Sequence, residues 1–150
     1  MIFRYELVIL RPLPDVIRLF RNRQLQSKWQ RGLVSNESLP TKDGKPQYLL
    51  MYNLGRRKLK MTETILKDDL PTHYRVHVQV KGAQHIASNS FSVLQDNSTK
   101  WISEVEFDFS GLMNLLARFM KKNFEEQTLM YMKSFKSFAE KYEGYKNGLI

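Results

Sequence analysis

The chain has 150 residues, 42% of them apolar, with 24 basic against 15 acidic residues and a net charge of +9. That length suits one domain burying roughly 70% of its unfolded surface, and no apolar run approaches the ~20 residues of a membrane span. The absence of cysteine excludes disulfides, thiolate chemistry and cysteine-ligated metals.

The N-terminal run Met1-Ile-Phe-Arg-Tyr-Glu carries a glutamate where a signal peptide needs unbroken apolar residues, so a cytoplasmic location is expected. From Phe3 to Leu10 the chain alternates Phe3, Tyr5, Leu7 and Ile9 against Arg4 and Glu6, the period of a half-buried strand. Arg11-Pro12-Leu13-Pro14-Asp15 ends it. Proline fits the first turn of a helix and Asp15 suits the positive end of its dipole, so Val16, Ile17, Leu19 and Phe20 form a short helix. Gln24 to Trp29 reads as a second short helix, broken by Gly32 before a strand at Leu33 to Glu37.

Pro40 to Pro46, centred on Lys42-Asp43-Gly44, is a turn cluster. Strands follow at Gln47 to Leu54, Lys58 to Lys67, Tyr74 to Val80, His85 to Leu94 and Lys100 to Phe109, with a turn signal between each pair. Strands at intervals of about 12 residues predict an antiparallel sheet. Strand parity places Leu59, Met61, Glu63 and Ile65 on one face, with Tyr74, Val76, Val78 and Val80, and with Trp101, Ser103, Val105, Phe107 and Phe109. The opposite face is charged.

Leu112 to Tyr142 holds no Pro and no Gly. At 100° per residue from Met113, the side chains of Leu116, Met120, Phe124, Tyr131, Phe135, Phe138 and Tyr142 all fall within about 60° of it, interrupted by Gln127. Lys122, Glu125, Lys133, Lys136 and Glu140 cluster opposite. The spacing predicts one amphipathic helix roughly 45 Å long, with Ser110 as its N-cap. Leu112, Leu115 and Phe119 widen the apolar arc at its start, so the helix needs cover on two sides or faces a cavity. The order is one strand, two short helices, six strands and a long helix: an α+β fold in which a seven-stranded antiparallel sheet curls, dry side in, around the last helix.

That helix-grip order resembles the START-like superfamily that includes the birch-pollen allergen, often called SRPBCC, and its bacterial polyketide cyclase/dehydrase-type members. Arg11-Pro12-Leu13-Pro14-Asp15-Val16-Ile17 sits where members have prolines and acidic residues before a short helix. QLQSKWQRGLVSNE, residues 24–37, is similar to the family's RLPEWxPGVVSVE region, with Arg31 where a proline is common. KMTETILKDDLP, residues 60–71, is similar to its TEVDPP strand and turn, and Ser110-Gly111-Leu112 matches the entry to the last helix. The resemblance covers essentially the whole chain and is specific for fold but weak for function. It implies a deep apolar cavity that in this superfamily holds lipids, sterols, polyketides or other apolar molecules. A few members are cyclases or hydrolases.

On this reading the ligand-facing residues are Leu59, Met61, Val76, Val78, Phe91, Val105, Phe107, Leu115 and Phe119, with Trp29, Tyr48, Tyr52 and Trp101 as aromatic wall or core. Glu63 shares the inward parity, and its pKa should rise there unless it is paired. It is expected at the cavity mouth or against an arginine such as Arg56; otherwise it anchors a polar end of the ligand or acts as a general acid or base, with Tyr48 or Tyr52, in a cyclase or dehydratase. His73 and His77 are four apart on a strand, about 13 Å, which is not metal-ligand spacing. No metal or other cofactor is indicated. The charge is spread along the chain, so a solvated surface is expected. Nucleic acid is not the expected partner, while peripheral contact with an anionic membrane and the oligomeric state stay open.

Overall fold

Alternating burial along β1 (Ile2–Ile9) puts Phe3 and Ile9 inside and Arg4 and Glu6 outside, and Pro12 then caps α1 (Leu13–Arg21), which buries Val16, Leu19 and Phe20. The structure, a computed structural model, describes residues 2–109 and 112–144, and at 109 and 112–121 the backbone alone. A 3₁₀ helix (Arg23–Lys28) follows, capped by the side chain of Asn22, which accepts from the Gln24 N–H at 3.1 Å.

Six strands then run as a meander: β2 (Leu33–Lys42), β3 (Lys45–Leu54), β4 (Arg57–Asp69), β5 (His73–Val80), β6 (Ala83–Val93) and β7 (Thr99–Phe109). β1 pairs antiparallel with β7, giving a seven-stranded sheet in the order β1-β7-β6-β5-β4-β3-β2, not closed into a barrel. The turn expected over Pro40 to Pro46 is only Asp43-Gly44, both at positive φ. Pro40 is tolerated inside β2 because that strand is an edge of the sheet, where a missing N–H breaks no shared ladder.

The long helix, α2 (Leu112–Lys141), ends one residue before the expected boundary. Its expected N-cap, Ser110, lies outside the described residues, as do the side chains of Leu112, Leu115, Leu116, Phe119 and Met120. Among the described residues of α2 the buried ones are Met132, Phe135 and Ala139, so the core-packing line there is turned by about 70° from the expected stripe. Tyr131, on the expected line, is instead 41% exposed. The polar side also does more than meet water. Lys136 Nζ donates to the Val8 carbonyl at 2.6 Å and to Glu140 at 2.6 Å, while Glu140 accepts from the Leu10 N–H at 2.8 Å. This pair ties α2 to the edge strand β1 and covers it.

The core fills one end of the molecule. Phe20 from α1 makes edge-on contacts with Tyr74, Phe91, Trp101 and Phe135, with ring centroids 5.1–5.7 Å apart. Arg11, 4% exposed, closes the same end by donating from Nη1 to the carbonyls of Ala139 (2.8 Å) and Tyr142, and from Nε to Asp15 at 3.1 Å. A guanidinium on the last carbonyls of a helix satisfies groups that have no partner within it. No helix among the described residues is long and apolar enough to cross a membrane.

Candidate ligand site

Next to that core, side chains of the sheet and of α2 line a cavity of about 380 Å³. This lies within the ~300–1,000 Å³ range of small-molecule pockets. The sheet contributes Leu59 and Met61 from β4, Val76 and Val78 from β5, Ala87 from β6, and Val105 and Phe107 from β7; α2 contributes Phe124, Met130 and Tyr131. Inward parity brings the strand residues together, since the register places Glu63, Val78, His85 and Phe107 in one row across four strands. Phe107 stacks on Phe124 at 5.4 Å, closing sheet onto helix.

Of the residues named from the sequence, Trp29, Tyr52, Leu59, Met61, Glu63, Val76, Val78, Val105 and Phe107 line this cavity. Three do not. Trp101 is fully buried in the aromatic core, stacked on Phe91 at 5.4 Å, with Nε1 donating to Asn89 Oδ1 at 2.9 Å. Phe91, 3% exposed and expected to face the ligand, shares that core, while Trp101, expected as wall or core, is core. Tyr48 has the right parity but lies under the Arg23 guanidinium, 3.5 Å from its ring centroid. The side chains of Leu115 and Phe119 lie outside the described residues.

Polar groups gather where the 3₁₀ helix meets β3 and β4. Glu63 is paired, though with Arg23 and not Arg56: Arg23 Nη1 lies 2.9 Å from Glu63 Oε1. Arg23 also donates to Asn36 Oδ1 at 3.1 and 3.3 Å, and Asn36 Nδ2 donates to Gln26 Oε1. Tyr52 donates to Gln30 Oε1 at 2.5 Å. Burial pushes the hydroxyls of Tyr52 and Tyr74 above their ordinary pKa, and the nearby Glu63 charge adds to it. The same causes act on Tyr131, which also lines the cavity. All three stay protonated near neutral pH.

Sequence reasoning passed over His85. Burial, with a smaller contribution from His77, holds its pKa down at about 4, so near neutral pH an uncharged imidazole stands 5.0 Å from the Phe107 ring. The parity that puts Phe91 inward, counted back along β6, was the available signal. Arg23 and Gln30 carried none, because their partners are 40 and 22 residues away. Among the described residues, no three His, Asp or Glu side chains are grouped to hold a metal ion.

No family model matches the chain, and no curated protein matches it. Solved structures do. The Zhui aromatase/cyclase from Streptomyces sp. R1128 superposes with a TM-score of 0.76 at 10% identity, over 93% of each chain. A START superfamily protein from Mycobacterium smegmatis matches with a TM-score of 0.73 at 12% identity, over 93% of this chain and 97% of its own. Ara h 8.0201 matches with a TM-score of 0.70 at 12% identity and the same coverage. The fold is START/SRPBCC-like.

Proposed function

We propose that this protein binds an apolar small molecule or lipid with one polar end, in the cavity between sheet and α2. The observation that carries the reading is the division of the cavity wall. Aliphatic and aromatic side chains form most of it, and Glu63, Gln30 and Tyr52 line one polar corner, where Arg23 from behind the wall pairs with Glu63. Burial of ligand surface would supply affinity at about 25 cal/mol per Å², and the polar corner would set orientation. Likeness of fold to a START superfamily protein and an aromatase/cyclase is consistent with this but does not choose the ligand.

Native mass spectrometry of the protein as purified, looking for a retained ligand, is the first test. Titration with fatty acids and sterols, read by the emission of Trp29 in the wall, is the second. The change should saturate and survive high salt, since apolar burial is not screened. Ala87→Phe should reduce it while leaving the fold intact; an emission response that ignores this filling of the cavity would sink the reading.

One observation favours a cyclase- or dehydratase-type enzyme as the second reading. Glu63 and His85 face the cavity in one row two strands apart, about 10 Å between their backbones. A carboxylate and a neutral imidazole so placed suit proton abstraction and hydrogen-bond donation to a developing oxyanion on one bound molecule, better than the Tyr48 or Tyr52 pairing expected from the sequence. Turnover lowered ~10²–10⁴-fold by both Glu63→Gln and His85→Phe would favour it.

A further inference from the structure

The cavity reaches solvent at a corner with an unusual surface. Arg31, Leu54, Gln127 and Met130 line the cavity and are exposed, so the opening lies between the loop after the 3₁₀ helix, the β3–β4 hairpin and α2. The first two are locked together. The Asn53 N–H donates to the Gly32 carbonyl at 2.7 Å, and Gly32, at φ +81°, leaves 2.3 Å between an added Cβ and the Asn53 oxygen. The rim is therefore a fixed shape on that side.

Its charge has one sign. From Gly44 to Thr62 the sequence has five basic residues (Lys45, Arg56, Arg57, Lys58 and Lys60) and no acidic one. Arg56, Arg57 and Lys58 are exposed at and just after the hairpin tip, and with Arg31 across the opening they make no ion pair among the described residues. Between the cations stand Leu54 and Met130, 44% and 49% exposed. Single exposed apolar side chains are ordinary. Two of them on the lip of an apolar cavity, bracketed by unpaired cations, match the chemistry of a bilayer interface, where anionic headgroups overlie acyl chains.

We propose that this rim docks on an anionic lipid bilayer, bringing the cavity mouth against the acyl layer so that its apolar ligand exchanges without crossing water. The second half of that statement rests on the cavity reading above; the docking half does not. Nucleic acid would be met by the cations alone, and Leu54 and Met130 would then gain nothing from contact.

Flotation with vesicles of phosphatidylglycerol and phosphatidylcholine, against pure phosphatidylcholine, tests the docking at ~0.15 M salt. Binding is expected on the anionic vesicles only. Each near-surface cation is worth about fivefold, so neutralising Arg56, Arg57 and Lys58 to glutamine should weaken it about a hundredfold. Leu54→Asp should weaken it as well, whereas Arg75→Gln with Lys133→Gln, on exposed positions elsewhere, should leave more than half of the triple variant's loss unexpressed. No binding to anionic vesicles, equal loss in the control pair, or RNA binding that Leu54→Asp leaves untouched would overturn it. Trp29 emission with ligand in vesicle-free buffer keeps the two readings apart: the triple variant should retain that response. Loss of the emission response in the parent protein with vesicle binding intact would remove the cavity reading alone.

Discussion

Arg23 is the residue on which the polar corner of the cavity depends, and its removal makes a quantitative test. Arg23→Ala leaves the Glu63 carboxylate, 15% exposed, without its 2.9 Å partner. Breaking a buried pair from one side costs ~3–5 kcal/mol, and partial exposure of both groups lowers that to about 2–3 kcal/mol. Two hydrogen bonds to Asn36 and the stacking on Tyr48 are lost too, adding about 1–2 kcal/mol. Glu63→Gln keeps shape and drops the charge, leaving Arg23 its contacts to Asn36 and Tyr48, so it should cost less, about 1–2 kcal/mol. In the double variant no charge is stranded. The two costs should then fall short of additivity by about 1–2 kcal/mol, measured by urea denaturation of the four proteins. A coupling below ~0.5 kcal/mol would mean that the pair is a solvated contact and that Glu63 is free to do something else.

Phe135→Ala should cost ~3–5 kcal/mol by denaturant titration, against less than ~0.5 kcal/mol for Lys133→Ala; similar values would misplace the buried line of α2. His85, its pKa lowered to about 4 from 6.5, binds its proton less readily when folded, so stability should be full above pH 6.5 and fall between 6.5 and 4, by up to ~3 kcal/mol. His85→Phe should flatten that window in thermal melts, and an unchanged slope would assign it elsewhere. Gly32→Ala, with its Cβ against the Asn53 carbonyl at a positive φ, should cost more than ~2 kcal/mol, while Gly55→Ala, in open space at φ +66°, should cost about 1 kcal/mol; circular-dichroism melts compare them.

Period-two patterns marked most of the strands and the period-3.6 pattern the long helix, because each is written by neighbours in sequence; the second short helix, marked by no such period, is a 3₁₀ turn, and β2 runs on past Glu37 through Pro40 to Lys42. Leu59, Met61, Val76, Val78, Val105 and Phe107 reached the cavity wall on parity alone. Parity says which face a residue takes, however, and not how far along the strand the core ends and the cavity begins. Trp101 and Phe91 share the face of Val105 and Ala87, and only their approach to Phe20 and Phe135 turns them into filled core. The same limit applies to α2. Among its described residues α2 shows a core line through Met132, Phe135 and Ala139 and a cavity line through Phe124, Gln127 and Tyr131, while the side chains of Leu112, Leu115 and Phe119, which widen the apolar arc in the sequence, lie outside the described residues. Long-range pairs were the least legible, since nothing near Arg23 announces Glu63.

Trp29 stands where those two surfaces meet, and its indole makes the last prediction. Its ring lies 5.0 Å from Phe135 in the core and 5.0 Å from Tyr131 on the cavity side, and the residue is 6% exposed. Its Nε1–H is buried and meets no acceptor within the protein. A stranded donor of this kind costs ~1–3 kcal/mol, which the packing of the large ring must offset. Trp29→Phe removes the stranded N–H together with part of the ring volume, so the two effects oppose each other and the net change should stay within ~1.5 kcal/mol. Trp29→Ala removes the whole ring and should cost ~3–5 kcal/mol. Chemical denaturation of ligand-stripped protein measures both. A Phe variant as damaged as the Ala variant would show that the indole N–H is satisfied in solution and that its group, and not its volume, holds the junction of core and cavity together.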